Sequence, residues 1–210
     1  MDKKELTRKE RERLRHKKEI LDKALRLFSE KGFHNVAMQE IAQISEFSVG
    51  TLYNLFESKE ALFSELMNDC GENITTTLAA ILDAPGTEAE RLTNFILHAP
   101  TLLEKHAEFI KLYVSELGMH GAKYTKKFDR DNYDAILNTR LEQLIEDGVR
   151  KGFFRGVDPV ITTKAINSTI ESIAFEIAGQ FDRAKVKNMF EKVEQLFLGG
   201  LLLPEERRNG

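Results

Sequence analysis

The chain has 210 residues, of which 41% are hydrophobic and 31% are charged. This balance indicates a globular protein of one large or two small domains, and it excludes disorder along the whole chain. The single cysteine, Cys70, excludes a disulfide within the chain and fits a reducing cytoplasm. No apolar run approaches the roughly 20 residues of a membrane span, and the charged start is unlike a signal peptide. We therefore expect a cytoplasmic protein with no membrane partner.

Charge is distributed unevenly along the chain. Residues 1–18 contain nine Lys and Arg against four Asp and Glu, whereas residues 69–210 contain 18 basic and 22 acidic residues. A basic front on an acidic body predicts a polyanionic partner at one end of the molecule. The alternative is a leader helix whose charges simply face water.

The first predicted helix has apolar residues at helical spacing, at Ile20, Ala24, Leu27 and Phe28. It extends back into the basic leader, and Gly32 ends it.

Two short helices are predicted next, near residues 37–45 and 48–56. Ser58 then caps a long helix, whose apolar residues recur at helical spacing as far as Ile81. The sequence Asp-Ala-Pro-Gly at residues 83–86 predicts a turn.

Helical periodicity continues through the rest of the chain. Thr87 and Glu90 have the spacing of a capping box, and Pro100 predicts a kink or break in the helix that follows. Two further helices are predicted over residues 106–118 and about 124–151.

Two long helices are predicted to close the chain. Asp158 and Pro159 open the first of them, because Asp caps a helix and Pro suits its first position. Its many β-branched residues favour a strand, but its period and length favour a helix. The last helix covers about residues 184–202. The chain is therefore predicted to be all-α, with about nine helices and no strand.

The segment from Ile41 to Phe56 has the residues that two short, steeply crossing helices require. Ala42 is small enough for the helices to touch, Glu46 occupies the tight turn, and Ser48 caps the second helix. This layout predicts a helix-turn-helix, in which the second helix enters the major groove of DNA. The alternative is a pair of small packed helices without a DNA partner.

The flanking residues favour the first interpretation. The sequence from Ile20 to Met67 closely resembles the DNA-binding domain of the TetR family of bacterial transcriptional regulators, over less than a quarter of the chain. The residues that carry the resemblance are Ala24, Leu27, Phe28, Lys31, Gly32, Phe33, Ile41, Ala42, Ser48, Gly50, Thr51, Leu52, Tyr53, Phe56, Ser58, Lys59, Glu60 and Leu62.

The resemblance implies an all-α homodimer whose chains each have two domains. Residues 1–66 would form a helix-turn-helix domain with a basic N-terminal extension, and residues 67–210 an effector-binding and dimerisation domain. The implied function is a sequence-specific transcriptional regulator, in most members a repressor that a small molecule releases from double-stranded operator DNA. Dimerisation is expected through the last two long helices, which have apolar stripes that a small domain cannot bury alone.

Eight residues are predicted to contact DNA. Lys59 stands at the start of the fourth helix, where its ammonium and the helix N-terminus face one phosphate. The Tyr53 hydroxyl suits a phosphate, and the Asn54 amide suits an adenine edge. The full set is Gln39, Ser48, Val49, Gly50, Thr51, Tyr53, Asn54 and Lys59.

Three sites depart from the family pattern. Val36 and Ala37 stand where a capping Thr or Ser is usual, Glu46 stands at the usual turn glycine, and Val49 replaces a frequent basic residue. Glu46 must therefore either adopt a left-handed conformation or reshape the turn. We expect fewer phosphate contacts from this domain, and the basic leader is a candidate to replace them, including in the neighbouring minor groove.

The remaining helices contain aromatic residues with a few polar groups among them. An apolar pocket with sparse polar groups is the usual form of a small-molecule site, so we expect a largely apolar effector. The alternative for each residue is core packing or a solvated surface. The predicted effector contacts are Phe95, His98, Phe109, Tyr113, Glu116, Tyr133, Asn167 and Glu171.

Two other classes of function fit the sequence less well. A general nucleic-acid-coating protein is disfavoured by the acidic body and by a pI near 6.0. An enzyme is disfavoured because no catalytic pair, phosphate-binding loop or nucleophile motif is present. The spacing of the histidines predicts no metal site, and we expect no cofactor.

Overall fold

A computed structural model describes residues 6–116 and 130–203 of the chain. Within these ranges the chain is all-α, as predicted, with nine α-helices, one short 3₁₀ turn at Phe33–Asn35 and no strand. Residues 117–118 and 124–129, which the sequence predicts to be helical, lie outside the described residues. The helices are α1 (Arg8–Lys31), α2 (Met38–Ile44), α3 (Val49–Leu55), α4 (Lys59–Leu82), α5 (Glu88–Lys105), α6 (Ala107–Glu116), α7 (Arg130–Arg150), α8 (Pro159–Ile177) and α9 (Arg183–Leu201).

The described residues fall into two compact units. The first contains those of residues 1–69 and 111–128, and the second those of 70–110 and 129–210. Both α4 and α6 are continuous helices that pass from one unit into the other. The second half of α6 therefore belongs with the N-terminal helices. The predicted division into residues 1–66 and 67–210 stays a prediction.

Aromatic packing builds the centre of the first unit. The rings of Phe28, Phe33 and Phe63 lie with their centroids 4.7 to 5.7 Å apart, in tilted and edge-on arrangements. Ile20 and Ala24, from the predicted apolar stripe of α1, are fully buried. The helical period read from the sequence therefore identifies the face of α1 that packs on α2 and the 3₁₀ turn.

Side-chain caps fix where most helices begin. The predicted capping box of α5 is confirmed, since Thr87 Oγ1 accepts the Glu90 N–H and Glu90 Oε2 accepts the Thr87 N–H. The predicted caps at Ser58 and Asp158 are confirmed in the same way. A second capping box, which the sequence analysis missed, joins Thr7 and Glu10 at the start of α1. These hydrogen bonds from Thr7 hold the pKa of the Glu10 carboxyl below its usual value.

Pro100 does not break its helix. α5 continues through Pro100 to Lys105 and ends at His106, so the break occurs six residues later than the sequence suggests. A proline inside a helix removes one backbone hydrogen bond. Ile96 and Leu103, on either side of it, are both buried, and this apolar packing compensates for the lost bond.

The second unit is built from two main helix pairs, α5 with α9 and α7 with α8. After α7 the chain turns at Gly152, at φ +75°, and runs against the end of α9. The Leu203 N–H donates to the Phe153 carbonyl oxygen at 3.1 Å. The Phe154 ring is buried against Gly148, where any Cβ atom would overlap it. Gly148 therefore lets the chain after α7 pack onto that helix.

Candidate DNA-binding site

The turn between α2 and α3 is a helix C-cap of the Schellman type. The Phe47 N–H donates to the Ala42 carbonyl oxygen at 3.0 Å, and the Glu46 N–H donates to that of Gln43 at 3.3 Å. Glu46 has φ +62°, which makes it the one described non-glycine residue with a positive φ. Of the two alternatives left by the sequence, the left-handed conformation is the one found. The turn keeps the geometry that glycine usually supplies.

A serine cap starts α3, as predicted. Ser48 Oγ accepts the Thr51 N–H at 3.0 Å and lies 2.8 Å from the Thr51 hydroxyl. Leu52, on the inner face of α3, is fully buried, whereas Tyr53 is half exposed. One face of α3 is thus fixed in the core, and the other presents polar side chains to solvent. Of the predicted DNA contacts, Gln39, Ser48, Gly50, Tyr53 and Asn54 are exposed, and Val49, Thr51 and Lys59 are partly buried.

The helix before the turn begins without a side-chain cap. α2 starts after Ala37, whose backbone has the extended conformation of a cap residue but whose side chain accepts no hydrogen bond. Val36 and Ala37, which replace the usual capping Thr or Ser, therefore leave α2 without a side-chain cap, but the helix still forms.

Lys59 has a structural role in addition to its predicted DNA contact. Its Nζ donates to the carbonyl oxygens of Phe33 and Val36 at 2.9 and 2.8 Å, and it lies 4.4 Å from the centroid of the Phe33 ring. An ammonium has three N–H donors. Two of them hold the loop between α1 and α2, and the predicted phosphate contact would use the third.

Two basic residues of α1 line the same groove as residues of α3. Arg13 and Lys17 line an open groove of about 530 Å³ together with Tyr53 and Asn54. Lys17 forms an ion pair with Glu65 at 2.7 Å and lies 5.0 Å from the Phe56 ring centroid. The sequence analysis did not single out either residue. A signal was present, because Lys17 and Arg13 precede Leu21 by four and eight residues and so share its helix face.

The predicted effector residues of the second unit have different surroundings. Phe95 and Phe109 are buried, whereas His98 is exposed and its Nδ1 lies 2.8 Å from the carbonyl oxygen of Asn94 in the same helix. Asn167 donates from its Nδ2 to Asn138 Oδ1 at 2.7 Å, which links α8 to α7. Tyr133 and Glu171 are partly buried.

The other two predicted effector residues, Tyr113 and Glu116, belong to the first unit. Glu116 Oε1 accepts the backbone N–H of Phe33 at 3.0 Å. Its carboxylate therefore holds the start of the 3₁₀ turn, directly after Gly32. Glu116 thus has a hydrogen-bond partner within the first unit, and its effector contact stays a prediction.

The described part of the chain contains neither a candidate metal site nor a candidate membrane-crossing helix. No three His, Cys, Asp or Glu side chains there lie close enough together to hold a metal ion. None of its helices combines the length and apolar character that a membrane crossing requires.

A capped helix-turn-helix with an exposed polar face on its second helix defines a DNA-binding regulator. Comparison with known proteins agrees, since residues 20–66 match the family model described as bacterial regulatory proteins, tetR family. These residues, about a fifth of the chain, therefore match the DNA-binding domain of the TetR family, and the proteins that the chain resembles are transcriptional regulators.

Three similar proteins illustrate the range of the relationship. The uncharacterised HTH-type transcriptional regulator YuxN of Bacillus subtilis is 34% identical over 111 residues, which are 51% of this chain and 35% of that protein. The HTH-type transcriptional repressor KstR2 of Rhodococcus jostii is 25% identical over 65% of this chain and 67% of its own. The crystal structure of FadR from Bacillus subtilis with stearoyl-CoA has a TM-score of 0.70 at 19% identity, covering 87% of this chain and 98% of its own. The last likeness shows that the shared fold extends well beyond the helix-turn-helix.

Proposed function

We propose that this protein is a homodimeric repressor that leaves its operator when a small, largely apolar effector binds. The observation that supports this most directly is the capped helix-turn-helix, with Ser48, Tyr53 and Asn54 exposed on α3. In a dimer, two copies of α3 would enter successive major grooves, about 34–36 Å apart. We propose a cytoplasmic location, where such a regulator meets DNA.

The DNA-binding part of the proposal is tested by selecting bound duplexes from a random library. A palindromic consensus is expected, because two-fold symmetric dimers bind two-fold symmetric sites. Tyr53→Phe should weaken binding to all duplexes alike, since it removes a phosphate contact. Asn54→Ala should weaken binding chiefly to the selected site, since it removes a contact to a base. Failure to enrich any sequence would contradict the proposed function.

The exposed residues of the last two helices support the proposed dimer. Ile161 on α8 and Leu196 on α9 are 64% and 68% exposed in the single chain. Large apolar side chains at such positions are typical of surfaces that another protein covers. Leu196→Glu is expected to give a monomer in sedimentation and to abolish operator binding, whereas Lys187→Glu, on the opposite side of α9, should retain the dimer.

Within the second unit, α8 provides polar groups that suit an effector anchor. Thr163 and Asn167 are one helical turn apart and so lie on the same side of α8. Thr163 is fully buried, and its hydroxyl has no hydrogen-bond partner among the described residues. A buried hydroxyl without a partner costs free energy, which a ligand that bonds to it would recover. Ile166 and Ile173 provide apolar surroundings on the same helix.

The relatives favour a lipid-like effector. The similar FadR structure contains stearoyl-CoA, a long acyl chain with a polar headgroup. For this chain we propose an effector of the same kind, with an apolar body and one or two polar anchors. A series of saturated acyl-CoA thioesters of increasing chain length tests this effector proposal, with free coenzyme A as the control that lacks the apolar body. Stabilisation in a thermal-shift assay should grow with chain length and be absent for free coenzyme A.

The coupling between effector and DNA would use the two helices that continue from unit to unit. α4 begins at Lys59, which holds the loop after α1, and α6 ends at Glu116, which holds the Phe33 N–H. A displacement of either helix would therefore pull on the loop that precedes α2. Ligand and operator would then weaken each other's binding by the same factor.

The coupling is tested by titrating the best thioester with and without the selected operator. We expect weaker ligand binding when operator is present. Glu116→Gln, which keeps the shape but loses the charge, should reduce the coupling while each ligand still binds. Equal thioester affinity with and without DNA would disprove the release mechanism and leave the DNA-binding assignment intact.

A further inference from the structure

The helix-turn-helix region lacks the positive charge that DNA binding requires. Residues 19–68 contain four Lys and Arg against eight Asp and Glu, and α3 contains no charged residue. Most of the affinity of proteins for DNA comes from cations that neutralise phosphates and release counterions. A net negative domain must therefore obtain its cations from another part of the chain.

At least two of these four cations are already engaged. Lys59 Nζ is hydrogen-bonded to two carbonyl oxygens. Lys31 forms an ion pair with Glu40. The other two, Lys23 and Arg26, belong to α1 after the basic leader. Fewer of the cations near α3 are thus available for phosphate contacts than the composition alone suggests.

The first half of α1 has the missing charge. Residues 6–18 contain seven Lys and Arg and two Glu. They are helical from Arg8, behind the Thr7 capping box, so this described part of the leader is a helix and not an extended arm. The His16 ring packs edge-on against Phe47, 5.0 Å between centroids, directly before the Ser48 cap of α3. The basic segment is therefore in contact with the turn that leads into α3.

The cations of this segment form two separate rows on α1. Lys9, Arg13 and Lys17 follow each other at i, i+4 spacing and continue the face that buries Leu21. Arg13 and Lys17 from this row line the groove that also contains Tyr53 and Asn54. The other row, which contains Arg11, Arg15 and Lys18 at i, i+3 and i+4 spacing, lies around the helix from it.

We propose that the Lys9–Arg13–Lys17 row is a docking surface for the sugar-phosphate backbone of duplex DNA, beside the groove that α3 enters. This inference rests on the proposed DNA-binding function and adds the residues that supply most of its electrostatic affinity. From Arg8 to Lys18 the helix rises about 15 Å. The row can thus follow one strand past the contacts of α3, and it compensates for the acidic residues of the helix-turn-helix.

The experiment compares two double variants of equal net charge. Lys9→Gln with Arg13→Gln removes two cations from the proposed row, whereas Arg11→Gln with Lys18→Gln removes two from the other row. Lys17 is left unchanged because it pairs with Glu65. Gln has nearly the helix propensity of Lys and Arg, so circular dichroism should show both variants folded alike. Binding of the selected operator is measured from 50 to 200 mM salt.

In the proposed dimer each protomer loses two phosphate contacts, so the first variant should flatten the slope of log affinity against log salt by about four units, one for each lost contact. The second should keep a slope close to that of the unaltered protein. Equal slopes in all three proteins, or equal flattening in both variants, would overturn the assignment of this row. Absence of any operator binding by the unaltered protein would instead contradict the proposed function itself.

Discussion

Glu46 provides the sharpest test of how this helix-turn-helix is built. It occupies the C′ position of the Schellman turn at φ +62°, where glycine is favoured because it lacks a Cβ atom. Glu46→Gly should therefore stabilise the protein, although it removes a whole side chain. The side chain is exposed, so no core packing is lost.

The size of the effect follows from two opposing contributions. A left-handed conformation costs a residue with a Cβ atom about 1–2 kcal/mol. Glycine also makes the unfolded chain more flexible, which lowers the unfolding free energy by about 0.4–1 kcal/mol and offsets part of the relieved strain. The net gain in unfolding free energy is then about 1 kcal/mol. For a chain of this length, the thermal midpoint should rise by about 2–4 °C.

Three variants separate backbone strain from charge. Glu46→Gly relieves the strain, Glu46→Ala keeps it, and Glu46→Asn relieves part of it, while all three remove the same negative charge. The thermal midpoint should be highest for Glu46→Gly and next highest for Glu46→Asn. Glu46→Ala and the unaltered protein should have lower midpoints. Any gain in operator affinity that the three share would come from the charge. If Ala stabilises the protein as much as Gly does, backbone strain at this turn is not the cause.

Two other sites give independent predictions. Gly148→Ala should lower the unfolding free energy by about 1–2 kcal/mol, since overpacking against Phe154 outweighs the gain of about 1 kcal/mol in helix propensity; urea unfolding should show a smaller loss in a Phe154→Leu background. Burial lowers the pKa of His106, with a smaller contribution from Lys105, so the unfolded state binds the proton more readily. The contribution of neutral His106 to the unfolding free energy is therefore fully present above the unfolded pKa of about 6.5, and it is lost as the pH falls below that value. His106→Gln should remove that part of the pH dependence in unfolding curves recorded from pH 7.5 to 5; an unchanged curve would refute the assignment.

Local patterns in the sequence were enough for most of the fold. Apolar residues at helical spacing predict α1, α4, α8 and α9, because a helix must bury one face whichever partner covers it. The caps at Ser48, Ser58 and Thr87 were equally readable, because a cap bonds to backbone only three residues away. The left-handed turn at Glu46 was one of two alternatives, and the tertiary structure selected it.

What the tertiary structure decided involves residues far apart in the chain. Pro100 leaves its helix unbroken because buried side chains on both sides hold it in the core, and no local rule includes that packing. Lys59 reaches carbonyl oxygens more than 20 residues away, and Glu116 reaches an amide 83 residues away. Arg13 meets Tyr53 in one groove for the same reason. The sequence by itself determined which residues form helices and which short segment forms the helix-turn-helix, since both depend on neighbours along the chain. Which charged groups support that segment depends on how the helices pack, and only the folded chain brings those groups together.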